Sequence, residues 1–155
     1  MKRLLQIFTS GVMGGIAWIV GMIVFFGPAQ SILANPKLQS AKFIAVMEHI
    51  EPLPRMRGNI WIIIVGLLSI GLIYSLVFSF VGQKLSGNSF QKGMKFGLIS
   101  WGLMVPWFEF YLPWNVMHEP TLLVFLEAFC WVLVLMLVGI SIALTSDVFN
   151  SRFGY

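Results

Sequence analysis

Four apolar runs divide the chain, at residues 4–26, 60–81, 94–112 and 121–144, and the longest polar interruption is the connection over 27–59. Each run is close to the ~20 residues an α-helix needs to cross a hydrocarbon core of roughly 30 Å. None alternates polar and apolar positions as a membrane barrel strand does. Lipid offers no partner to backbone N–H and C=O groups, so spanning segments are expected as helices, which satisfy those groups internally. The pattern predicts an all-α integral membrane four-helix bundle, a single transmembrane domain over residues 1–155.

The first run follows Met1, Lys2 and Arg3 and so begins like a secretory signal. Signal cores are shorter, about 7 to 15 residues, and the stretch ending at Ala34 has Ile32 where cleavage favours a small residue. The run is expected to be retained as a span. Within the long connection, Asn35 and Pro36 give a helix-start signal, and Phe43, Val46, Met47 and Ile50 recur on one helical face. This predicts a short amphipathic helix over about 36–50 in the first loop, ended by Pro52 and Pro54, on the membrane surface or over the bundle mouth.

Small residues mark the faces on which spans meet. Gly11, Gly14, Gly15, Trp18 and Gly21 share a side of the first run; Gly71, Ser75 and Ser79 recur in the second, and Gly93 and Gly97 begin the third. In lipid, such positions let backbones approach and pack. Pro106 removes a hydrogen bond inside the third run and predicts a kink there. On the fourth, Glu127, Ser141 and Thr145 share an azimuth that should face protein.

Composition supports the membrane reading: the chain is 58% hydrophobic and 10% charged, with a mean hydropathy of +0.88. The net charge of +4 comes from Lys and Arg at segment ends, not from a stripe, so no nucleic-acid partner is expected. The partners implied are the lipid bilayer and a protein partner or second copy. Lys2, Arg3, Lys84, Lys92, Lys95 and Arg152 fall on one side, against Lys37, Lys42, Arg55 and Arg57 on the other. By the positive-inside rule both termini are cytoplasmic. The lone cysteine, Cys130, excludes an intrachain disulfide and paired-cysteine zinc sites, and reads as a packed apolar side chain.

Chemistry concentrates around PWFEFYLPWNVMHEPTLLVFLE, residues 106–127. Glu109 and Glu127 flank its short connection, on faces that meet if the third and fourth runs form a hairpin. At 1.5 Å per residue they lie roughly 5 Å and 9 Å below the outer helix ends. A carboxylate in the membrane normally faces a cavity or a partner. Two routes follow: pairing with Arg55 or Arg57, which precede the second run on the same side, or titration in the service of protons or cations. Trp107, Tyr111 and Trp114 read as an interfacial aromatic belt. His49, His118 and Glu119 are weaker outer-face candidates; their spacing does not match a helical metal site, so no metal is expected. No catalytic triad, phosphate loop or nucleotide fingerprint is present in the sequence, and no cofactor is implied.

The segments LANPKLQSAKF, EPLPRM and FEFYLPWNVMHEP resemble those of a group of small bacterial four-span membrane proteins with no established activity. The resemblance implies a bundle in a bacterial inner membrane and supplies no catalytic residue. Three functions remain in order: an accessory or self-associating bundle with Glu109 and Glu127 in a buried polar network; a small proton- or cation-coupled transporter or channel using those acids; and a membrane enzyme acting on a lipid or quinone through His118 and Glu119.

Overall fold

The computed structural model describes residues 2–52 and 59–153, which are 87% helical with no strand among them. Five helical runs are described: α1, Lys2–Leu33; α2, Ala41–Ile44 continued by the wide turn Ala45–His49; α3, Ile60–Lys84; α4, Ser89–Val105 continued by the wide turns of Pro106–Val116; and α5, Thr121–Phe153. Three of these, α1, α3 and α5, are long and apolar enough to cross a membrane, and point to a membrane-embedded protein. The third apolar run of the sequence is helical, but α4 is not among those three; its regular part, Ser89–Val105, is 17 residues long.

The helices outrun the apolar segments. α5 continues to Phe153 through Asp147, Asn150 and Arg152, where apolarity has ended but nothing interrupts the backbone hydrogen bonds. Its 33 residues span about 50 Å, more than the hydrocarbon core. α1 passes Gly27 and Pro28 by widening to i→i+5 bonding over Met22–Phe26, which absorbs the hydrogen bond that Pro28 cannot make. The same device operates at Pro106. The helix re-registers into wide turns through Val116.

Side chains fix most helix starts. Asn59 Oδ1 accepts from the N–H groups of Trp61 and Ile62 at 3.1 and 3.4 Å. Asn88 and Gln91 form a reciprocal capping box at the start of α4. In the first connection the expected start at Asn35 and Pro36 is displaced: Asn35 Oδ1 accepts from Lys37 N at 3.0 Å and closes a turn. Ser40 caps α2 instead, accepting from Phe43 N at 3.0 Å. The arginines Arg55 and Arg57, with Pro54, lie outside the described residues.

α5 is the organising helix. Val134, Val138 and Ile142, four apart, are buried against α1, while Leu135 and Gly139 meet α4. A side chain on Gly71 of α3 would strike the Gly11 carbonyl and the Gly15 backbone of α1; one on Gly139 would strike Gly93 and Gly97 of α4. The backbones there are in contact. α3 and α4 meet instead through rings, Tyr74 and Phe78 standing edge-on to Phe96 at centroid distances of 6.0 and 5.2 Å. Lys2 and Phe153 lie together at one end of the molecule, where Lys2 Nζ donates to the Phe153 carbonyl at 3.3 Å.

Overpacking sets a test of these crossings. Gly71→Val and Gly139→Val should each destabilise the protein by about 1–3 kcal/mol. Gly102→Ala should be neutral or stabilising by up to about 1 kcal/mol, since a methyl there meets nothing within 4 Å. Unfolding in mixed micelles reads all three.

Candidate functional site

The hairpin of α4 and α5 turns at residues 117–120. His118 takes a left-handed backbone, φ 58°, and the Glu119 N–H donates to the Pro113 carbonyl at 2.9 Å. Pro120 then opens α5, its carbonyl accepting from Leu123 and Val124. This tight reversal brings Glu109, on the wide turns of α4, against Glu127, two turns into α5. The two carboxyl groups are neighbours, with the Trp131 indole beside Glu109. The Trp131 N–H is buried and falls short of hydrogen-bond geometry. Two carboxyl oxygens can hydrogen-bond only when one carries a proton, because an ionised carboxylate is an acceptor alone. Neither acid is matched by a cation among the described residues.

Glu119 does not share this pair. It is 7% exposed, its Oε1 accepting from Ser40 N at 3.1 Å, while Oε2 is buried with no partner among the described residues. The segment beginning α2 is thereby strapped to the hairpin: Ser40 Oγ donates to the Met117 carbonyl at 2.7 Å and Lys42 Nζ to that of Val116 at 2.6 Å. These links span nearly 80 residues of sequence. Hydropathy and periodicity carry no trace of them; the one local signal was Ser40 standing as a cap before Ala41.

Glu119 and Glu127 line one cavity of about 250 Å³ between α1, α2 and α5. His118 is exposed, and shares a shallow hollow with Glu119 and Trp114; His49 lines another hollow, with Pro36 and Gln39. Thus His49 and His118 are not brought together. Among the described residues no group of three His, Cys, Asp or Glu side chains is placed to hold a metal ion. The expected aromatic belt is ordered by stacking, Trp107 on Tyr111 at 4.9 Å and Phe110 on Trp114 at 5.5 Å, with Trp107, Tyr111 and Trp114 exposed.

Two features lay outside the sequence reading. Beyond the acids, Trp18 packs edge-on against Tyr74 and Trp131 at 5.5 and 5.7 Å, an aromatic layer that crosses from α3 to α5. Past it, a second cavity of about 280 Å³ opens at the end that holds both termini, lined among others by Arg3, Gln6, Ser10, Ser75, Lys92 and Asp147. At its floor the Ser10 and Ser75 hydroxyls are 2.7 Å apart, joining α1 to α3. Ser141 Oγ, on the stripe expected to face protein, donates to the Met13 carbonyl at 3.2 Å. Cys130 is buried, its thiol 3.6 Å from the Phe25 carbonyl.

The strap has a local test. Ser40→Ala removes the cap and the bond to Met117, a loss of about 1–2 kcal/mol. Amide exchange over 41–49 should accelerate by roughly tenfold while α5 is unaffected; uniform protection in the variant would show the strap held by other contacts.

In comparisons with known proteins, no family model matches this chain, and neither does any curated protein or solved structure.

Proposed function

We propose that the chain is a four-helix bundle of a bacterial cytoplasmic membrane, both termini inside, that moves protons or a cation through the Glu109–Glu127 pair. The observation that supports this reading is the contact of the two carboxyl groups with no described cation between them. A carboxyl pair in a membrane is costly unless it binds something, and a shared proton exchangeable for a cation is the coupling chemistry such a pair offers. The polar cavities at the two ends, separated by the Trp18, Tyr74 and Trp131 layer, supply water access to either side of a closed middle. The bacterial inner membrane rests on the motif resemblance, and the orientation on the excess of Lys and Arg at the end bearing both termini.

An accessory or self-associating role is the second reading. It is favoured by α3, of whose most apolar window only 11% is buried, leaving a long face for a partner or for lipid. The small-residue stripes that first suggested association are occupied within the chain at Gly11, Gly71, Gly93 and Gly139. An enzyme acting on a lipid or quinone keeps only the exposed His118 beside Glu119.

Proteoliposome flux separates these readings. The purified protein should dissipate an imposed proton or monovalent-cation gradient, and Glu109→Gln and Glu127→Gln should each abolish that flux while retaining helical content. Flux that survives both substitutions, or a wild type that passes nothing, removes the carrier.

A further inference from the structure

We infer that the cavity beneath α2 is a binding site for a small organic cation, an alkylammonium, held by Glu119. Glu119 closes that cavity with one oxygen committed to Ser40 and the other, Oε2, buried without a partner among the described residues. Native proteins leave few buried polar atoms unsatisfied, so the second oxygen marks a place where a donor is received. Its surroundings select the donor. Phe26 and Leu123 are buried at the wall, with Phe43 and Met47 of α2 across from them, giving apolar and aromatic faces beside the carboxyl groups of Glu48, Glu119 and Glu127. Hard metal ions need six or more converging oxygens, and among the described residues no three His, Cys, Asp or Glu side chains are placed to hold one. An alkylammonium needs one carboxylate, aromatic faces and an apolar enclosure. At about 250 Å³ the volume sits just under the usual range for small-ligand sites, which restricts the guest to a few heavy atoms.

Glu127 lies on the same wall, so a cation bound at Glu119 stands on the way to the Glu109–Glu127 pair. The strap at Ser40 and Lys42 holds α2 over the cavity and defines its outer wall. This site rests on the carrier reading for its purpose, not for its existence.

Calorimetry on the full chain in lipid nanodiscs, with n-butylammonium chloride as probe and sodium chloride as the ionic control, tests it. Wild type should show saturable one-site binding. Glu119→Gln keeps an oxygen for Ser40 N and loses the charge; affinity should fall at least about tenfold, the loss of one charge-assisted hydrogen bond. Leu123→Phe, which narrows the cavity and leaves Glu119 intact, should weaken binding too, and decides the matter should Glu119→Gln fail to fold. Gly102→Ala, away from the cavity and with nothing within 4 Å of the added methyl, should bind as wild type does. No saturable binding by wild type, or wild-type affinity in both the Glu119 and the Leu123 variant, overturns the site. Binding without flux would remove the carrier and leave the site standing; flux without butylammonium binding would do the reverse.

Discussion

Backbone contact between helices is the constraint on which the rest of this molecule depends. In lipid, helices gain nothing from hiding apolar side chains from one another, so association must come from close packing. Here it comes from glycine. Gly11, Gly15 and Gly71 let α1 and α3 touch, and Gly93, Gly97 and Gly139 do so for α4 and α5. With α5 also packed along α1, these crossings leave α3 and α4 meeting through the rings of Tyr74, Phe78 and Phe96. Contacts through side chains leave room that backbone contacts do not, and the cavity lined by Ser75, Phe78 and Lys92 lies along that seam.

The tight α4–α5 crossing also determines where the acids go. Once Gly97 is held against Leu135 and Met136, the remaining length of each helix to the turn at residues 117–120 is fixed. Glu109 and Glu127 then have no freedom to separate. The wide turns of Pro106–Val116 contribute as well, since i→i+5 bonding changes the azimuth of each residue beyond Pro106 relative to a regular helix. Glu119 differs in kind. It is placed by the turn and by hydrogen bonds from a distant segment, and its burial owes nothing to helix packing.

These origins explain what could be read in the chain directly. The apolar runs and the small-residue faces follow from helical periodicity, and the hairpin that brings Glu109 towards Glu127 follows from a short connection, both local properties. Helix ends were less legible, because hydropathy reports where lipid stops and not where backbone hydrogen bonding stops; α1 and α5 continue through Pro28 and Asp147 for that reason. α2 starts at its Ser40 cap, where tertiary contacts to Val116, Met117 and Glu119 hold the chain, and not at Asn35 and Pro36. In the sequence Glu119 reads as a loop residue with a histidine neighbour, and its burial depends on a strap nearly 80 positions away.

A proton held between Glu109 and Glu127 is the central claim, and infrared difference spectroscopy addresses it without any assumption about transport. The protein in lipid at neutral pH should show the carbonyl stretch of a protonated carboxyl group, and that band should shift or vanish in both Glu109→Gln and Glu127→Gln, because either substitution dissolves the shared pair. A wild-type spectrum containing only ionised carboxylate bands, or a protonated band that neither substitution alters, would contradict it.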